Sequence, residues 1–399
     1  MNPTNAIRSD PLLMPRPRVA LLINLVAPYR VRAYEHLASA LDLVILHGGM
    51  ERNRSYWNTV EVNGACGRRM AGWQLSLTKR EHGEVFDHRF VHVEPGYITG
   101  LIREQPDAVI TDEMGFRTLV GLAYGTCFRK PVWVWWGGTS HTERRVGRFR
   151  KLLRRVVARW AKRWISYGQT STEYLLTLGV HRERILQVQN CVDETWYEAA
   201  AKPALDLRPR PVVLHVGQMV ARKGIAEFLR AAARLQREGL TFSTVLVGGG
   251  CDSTKLQRLA AELGLENVHF YPAQTPKAMP AFYRSADVVI FPTMEDVWGL
   301  VANEAILSGV PVLCSRYAGC APELFDSESI FDPADEQEFV AALRRAVTGQ
   351  LPRADKSRLR SSAAVGELIA NAVLTSYASK LSIKPRLETD EVRDPVVNN

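Results

Sequence analysis

The sequence predicts an α/β protein made of two halves, each a parallel sheet flanked by helices. Three observations carry this. Short apolar runs such as Arg18–Ile23 and Pro211–Val216 alternate with stretches of helical periodicity, and a strand–helix–strand order implies parallel pairing through right-handed crossovers. The chain has 399 residues, long enough for two domains. A mixed stretch containing Pro203 and Pro209 separates the two alternating halves, as a linker would.

Hydrophobic residues make up 46% of the chain and charged residues 23%, the balance of a globular rather than a disordered protein. The net charge of +9 favours an anionic partner, subject to where the charge lies. Six cysteines are scattered without a C-x-x-C pair, so neither a zinc site nor a disulfide framework is expected, in keeping with a reducing compartment. The N-terminus shows no signal-peptide pattern, and no stretch approaches the roughly 20 apolar residues needed to span a bilayer.

Residues 1–16 read as a flexible tail. Arg18–Ile23 is a strand, Asn24–Arg30 the loop after it, Val31–Leu41 a helix and Leu43–Leu46 a second strand. The loop lacks G-x-G-x-x-G, so it is not assigned a dinucleotide. At a carboxyl strand end, Arg30 is expected either to face a ligand cleft or merely to cap or solvate a helix. Residues 50–105 are poorly legible; Arg52–Arg54 read as exposed. Asp107–Thr111 and the aromatic Pro131–Trp136 are strands, and Gly137–His141 follows at a carboxyl end, where a lone loop histidine is expected to be exposed.

Between Glu143 and Ile165 stand ten Lys or Arg and one acid. Val146, Phe149, Leu153, Val156, Trp160 and Trp164 recur at helical spacing and are expected to pack inward. Arg144, Arg148, Lys151, Arg155, Arg159 and Lys162 fall on the opposite face. Such a helix suits an anionic membrane or a nucleic acid, or is an ordinary surface helix. Membrane contact through 144–163 is the favoured reading, and no nucleic acid is expected.

Ile165–Tyr167 reads as a strand, Ser171–Leu178 as a helix and Ile185–Val188 as a strand. In the second half, Pro211–Val216 is a strand, Gly217–Gly224 a loop and Ile225–Glu238 an amphipathic helix. Thr244–Val247 with its glycine run, Asn267–Tyr271 and Asp287–Pro292 continue the alternation, and Ser329–Pro333 and Glu336–Val347 close it. The expected divisions are a first domain at 17–193, a linker at 194–210, a second domain at 211–357, a helix within 358–383 and a disordered polar tail at 384–399.

The most informative stretch is Pro292-Thr-Met-Glu-Asp-Val-Trp-Gly-Leu-Val-Ala-Asn-Glu304 followed by Ala-Ile-Leu-Ser-Gly-Val-Pro-Val-Leu-Cys314. It reads as strand, acidic loop, helix and strand, with seven residues between Asp296 and Glu304. Free N–H groups at the helix start, Leu300 and Val301, suit an anion, and Gly299 permits its close approach.

This pattern resembles the paired-acid motif of the family-4 retaining glycosyltransferases, within the glycosyl transferases group 1, which have the GT-B fold of two Rossmann-like domains facing across a cleft. The resemblance implies that Asp296, or the adjacent Glu295, sits beside the donor sugar. It implies that Glu304 holds the nucleotide ribose and that the helix start takes the diphosphate. Gly217-Gln-Met-Val-Ala-Arg-Lys-Gly224 is similar to the family's phosphate loop: Lys223 matches its lysine, Gln218 replaces its arginine, and Arg222 offers a charge nearby. Pro28-Tyr-Arg30 resembles the loop lining the acceptor site, and Asn190-Cys-Val-Asp193 the end of the family's first domain. The family's strand-end histidine, which contacts the donor sugar, makes His141 a candidate catalytic group, although two glycines occupy the nearest position and His141 comes several residues later. The last helix is implied to return to that domain.

The function implied is transfer of sugar from a nucleotide-diphosphate donor, UDP- or GDP-linked, to a glycan or lipid-linked acceptor in cell-envelope polysaccharide or lipopolysaccharide assembly. It would proceed with retention, without a metal or other cofactor, by a cytoplasmic enzyme peripheral on the inner face of the membrane. The alternatives are an epimerase or phosphorylase of the same architecture, a degenerate GT-B protein that binds nucleotide or glycan without turnover, and a nucleic-acid-binding protein.

Overall fold

The structure is a computed structural model that describes residues 16–49, 61–81, 84–198, 201–353 and 355–381. The expected tail at 384–399, all but Arg16 of the tail at 1–16, and Arg52–Arg54 lie outside these residues. The first domain runs β1 (Arg18–Ile23), α1 (Val31–Ala40), β2 (Asp42–His47), β3 (Ala65–Arg69), β4 (Trp73–Glu81), β5 (Glu84–Val93), α2 (Gly96–Glu104), β6 (Ala108–Asp112), α3 (Phe116–Cys127), β7 (Val132–Trp136), α4 (Arg148–Trp160), β8 (Arg163–Ser166), α5 (Gln169–Thr177), β9 (Ile185–Gln187) and α6 (Thr195–Glu198). Seven strands pair in parallel in the order 3-2-1-6-7-8-9, while β4 and β5 form a separate antiparallel hairpin. Strands β1, β6 and β7 are largely buried apolar runs, as expected for a parallel sheet with both faces covered.

The second domain runs β10 (Val212–Val216), α7 (Ile225–Arg237), β11 (Ser243–Val247), α8 (Ser253–Glu262), β12 (Val268–Tyr271), α9 (Met279–Ser285), β13 (Val288–Phe291), α10 (Leu300–Leu307), β14 (Val312–Ser315), α11 (Ala321–Leu324), β15 (Ile330–Phe331) and α12 (Glu336–Val347). Its six strands are parallel in the order 12-11-10-13-14-15. The order reverses between β1 and β6 in one sheet and between β10 and β13 in the other. Ligands of open α/β sheets bind beyond the carboxyl ends of strands at such reversals.

The final helix, α13 (Ser362–Leu381), packs on α1 of the first domain. Gly366 allows the approach, since a Cβ there would meet His36 and the Ala33 carbonyl. One apolar cluster runs through both domains and includes Leu21, Tyr197, Leu214, Trp298 and Val365. Trp298 is fully buried; its indole N–H donates to Asn303 at 2.9 Å, and the Asn303 amide donates to the Asn190 carbonyl of the first domain at 3.2 Å.

Helix α4 departs from expectation. Its buried residues are Arg154, Val157 and Ala158. Phe149 is 80% exposed and Leu152 58%, and Val156 and Trp160 are also exposed. Val146 precedes the helix and Trp164 lies in β8. Arg154 is drawn inward by Glu143 at 3.0 Å and by the Met114 carbonyl, and it stacks over Trp136 at 4.6 Å. That anchoring leaves Phe149, Val156 and Trp160 outward, between exposed Arg148, Lys151, Arg155 and Arg159, while Val146, Trp164 and, in part, Leu153 pack inward as expected.

Candidate active site

Two loops at the carboxyl ends of β10 and β13 meet to form the site. The first contains Gly217, Gln218 and the 3₁₀ turn Ala221–Lys223; the second is 292–299. They are stitched together: Met294 N–H donates to the Arg222 carbonyl at 2.8 Å, and Thr293 Oγ1 to the same oxygen at 3.2 Å. Gly224, at φ +66°, starts α7 so close to Pro292 that a side chain would collide with the Pro292 carbonyl.

Lys223 is buried and donates to Asp296 Oδ2 at 2.6 Å; Arg222 approaches the same oxygen at 3.9 Å and lies 3.4 Å from Gln218 Oε1. Burial alone would raise the Asp296 carboxyl, but Lys223, Arg222 and the Trp298 N–H hold it below its ordinary range. Gly299 begins α10 at φ +104°, a conformation closed to most side chains, and its missing Cβ leaves room for the Phe291 ring. No side chain caps α10, so Leu300 and Val301 present the first N–H groups of the helix beside the Lys223–Asp296 pair.

Glu304 sits a turn further on. It accepts from the Tyr283 hydroxyl at 2.6 Å, and burial pushes its carboxyl up to about 7 despite the opposing hydroxyls of Tyr283 and Tyr197. His215, on β10, is buried beside Gly217 and Lys223; burial and then the Lys223 charge lower it to about 4, so it is neutral. Its Nδ1 lies 3.3 Å from the Ile290 carbonyl, and its Nε2 has no hydrogen-bond partner.

The first domain reaches this site. The His141 ring nitrogen lies 2.9 Å from the Met294 carbonyl, and the ring stacks on Tyr317 at 4.3 Å. Burial lowers its pKa. Glu295 is also buried and accepts from Lys79 of β4 at 2.9 Å and from Arg144 at 3.0 Å. Arg30 does not face the cleft as an open cation, nor is it a solvated helix residue. It closes the 3₁₀ turn Pro28–Arg30 and is buried between Trp135 and Tyr167, 3.6 Å from Asp112. Aromatic faces and one acid replace its lost water.

The structure thus brings together Gln218, Arg222, Lys223, Asp296, Gly299, Leu300 and Val301, with Glu304 one turn along α10 and His141 arriving from across the cleft. Sequence reading missed Lys79, Tyr197, His215 and Tyr283, and gave Arg144 to a helix face rather than to Glu295. Tyr197 fell in the expected linker and Tyr283 in a stretch given no element, and neither carried a motif. Lys79 pairs with a residue 216 positions away, which no local pattern signals. Among the described residues no cluster of three His, Cys, Asp or Glu is arranged to hold a metal.

Residues 200–364 match the family described as Glycosyl transferases group 1. D-inositol 3-phosphate glycosyltransferase of Nocardia farcinica is 39% identical over 161 residues, 37% of this chain and 36% of that protein. The same-named enzyme of Rhodococcus jostii is 32% identical over 195 residues, 45% of this chain and 43% of that protein. The chain therefore spans less than half the length of these curated relatives. Among solved structures, Anabaena HepE in complex with UDP superposes with a TM-score of 0.64 at 16% identity, covering 92% of this chain and 99% of that one. Lipopolysaccharide outer core galactosyltransferase WaaB in its apo form gives 0.66 at 13% identity, covering 90% and 99%. At these identities the likeness shows the fold, which is GT-B. Residues 200–364 are thus similar to the Glycosyl transferases group 1 family, in a chain with the GT-B fold.

Proposed function

We propose that the protein is a glycosyltransferase that moves a sugar from a nucleotide-diphosphate donor to a glycan or lipid-linked acceptor. The observation that carries this reading is the buried Lys223–Asp296 pair at the uncapped start of α10, inside the matched domain. On donor binding, Lys223, Arg222 and the Leu300 and Val301 N–H groups receive the diphosphate and stabilise it as charge develops on the leaving group. Asp296, released from Lys223, accepts a sugar hydroxyl, and Glu304 accepts the ribose hydroxyls in place of Tyr283. These cations and amides supply the charge stabilisation without a metal, and the departing phosphate deprotonates the acceptor on the same face, giving retention. A uridine donor is the first choice, since solved neighbours of this fold hold UDP and UDP-glucose.

The acceptor is placed at a membrane in cell-envelope glycan assembly, on the cytoplasmic side. Phe149, Leu152, Val156 and Trp160 stand exposed along α4 between basic side chains, which suits an interfacial helix on anionic lipid. No helix among the described residues is long and apolar enough to cross a membrane. The inositol phosphate of the relatives' names is not carried over, because the 161 residues matched to the Nocardia enzyme cover 37% of this chain.

The test is a thermal-shift panel of nucleoside diphosphate sugars. A ligand at 100 times its Kd stabilises the fold by about 2.7 kcal/mol. One nucleotide series should raise Tm, and no shift with any uridine or guanosine donor would count against the proposal. The same panel followed by turnover separates this reading from a binding-only GT-B protein.

A further inference from the structure

Glu295 carries a contact that the proposed reaction does not use. Its Oε2 receives Lys79 Nζ at 2.9 Å and Arg144 Nη1 at 3.0 Å, both from the other domain. Lys79 lies near the tip of the β4–β5 hairpin, and β5 rests against the turn Ala221–Lys223 that the proposal assigns to phosphate. Arg144 also donates to the His141 carbonyl, and His141 in turn bonds the Met294 carbonyl. One carboxylate therefore gathers two segments of the first domain onto the donor loop, next door to Asp296.

The two acids have different company. Asp296 is held by Lys223 and Arg222 of its own domain, Glu295 by cations of the other. If the domains part, Glu295, Lys79 and Arg144 all return to water. Their burial is repaid only in the closed arrangement, so the contact reports and favours closure. A sugar-contacting role would require Glu295 to abandon both cations beside the donor.

We propose that Glu295 is a positioning residue. It docks Lys79 and Arg144 on the donor loop, closing the β4–β5 hairpin over Ala221–Lys223 and placing two cations from the first domain beside the donor diphosphate. The inference rests on the nucleotide-sugar reading for its ligand, but the docking itself can be measured without one.

The experiment has two arms on the full chain. In the first, hydrogen exchange is compared between ligand-free wild type and Glu295→Gln. Amides of β4 and β5 should exchange at least tenfold faster in the variant, with β10 and β13 unchanged. In the second, kcat and donor KM are measured for Glu295→Gln, Lys79→Gln and the double variant. Each single change should lower kcat at least tenfold, and the double should be no worse than the poorer single. Unchanged hairpin exchange, or losses that multiply in the double variant, would overturn the proposal and return Glu295 to direct sugar contact. A wild type that turns over no nucleotide sugar would sink the donor reading, while the exchange arm would still decide whether Glu295 docks the hairpin.

Discussion

In the donor site proposed above, Glu304 would make nucleotide binding a proton-linked event. Burial pushes its carboxyl up to about 7, so at pH 6 the empty site holds it mostly protonated. Ribose hydroxyls need acceptors, and the ionised carboxylate provides them without retaining its own proton. Binding should therefore expel a proton, and affinity should fall about tenfold per pH unit below 7. Between pH 7 and pH 5 that amounts to about 2.7 kcal/mol, at about 1.36 kcal/mol per unit. The assay is calorimetric titration with a nucleotide sugar, whose diphosphate diester does not titrate in this range, in buffers of different ionisation enthalpy. Wild type should release close to one proton per ligand at pH 6, and Glu304→Gln should bind more weakly at pH 8 with no slope. The same raised pKa affects stability. The folded protein holds the proton more tightly than the unfolded chain, so stability falls as pH rises from 4.5 towards 7 and is level above it. That loss is about 3 kcal/mol on the same conversion, and Glu304→Gln should escape it. Affinity that is flat from pH 5 to 8, or an equal slope in Glu304→Gln, would refute the reasoning.

Three further outcomes are expected. Lys223→Met should destabilise the protein by about 3–5 kcal/mol at pH 7 in urea unfolding, because Asp296 is left buried with only the more distant Arg222 beside it. The wild-type pair holds the Asp296 carboxyl down, so its contribution is present above pH 3.8 and lost as pH falls below it; adding Asp296→Asn should restore part of the loss. Gly299→Ala forces a side chain into left-handed backbone against Phe291 and should cost about 1–3 kcal/mol by thermal melt while weakening nucleotide binding. Replacing Arg148, Lys151, Arg155 and Arg159 by Gln should release the protein from anionic vesicles, each charge contributing about 1 kcal/mol at low salt. Tm should hold, since these side chains are exposed; a fourfold variant that still binds vesicles would remove the membrane role of α4.

The alternation of strands and helices was legible because buried parallel strands are short apolar runs and helices carry their own period. The loops proposed to hold the donor were legible because Gly217–Gly224 and 292–304 resemble a family's motifs, keeping glycine, cation and acid in the order those motifs have. The β4–β5 hairpin was not, since Trp73, Leu75 and Leu77 alternate as a strand should yet stand exposed. Period identified the apolar stripe of α4 but could not say which side faced the core. A buried Arg154–Glu143 pair decided that, and ion pairs between distant segments leave no local trace. The same limit hid Lys79 and Arg144 from Glu295, and it left Arg30 divided between a cleft and a helix end, with no sign of the aromatic cage that buries it.

The central claim, sugar transfer from a nucleotide donor at the Lys223–Asp296 site, is tested most directly by measuring nucleoside diphosphate release from nucleotide sugars by wild type and by Asp296→Asn. The account predicts release above background by wild type. In Asp296→Asn, release should fall at least tenfold while free nucleoside diphosphate binds with nearly unchanged affinity. No release by wild type from any uridine or guanosine donor, with or without glycan and lipid-linked acceptors, would contradict it, as would an Asp296→Asn variant that turns over at the wild-type rate.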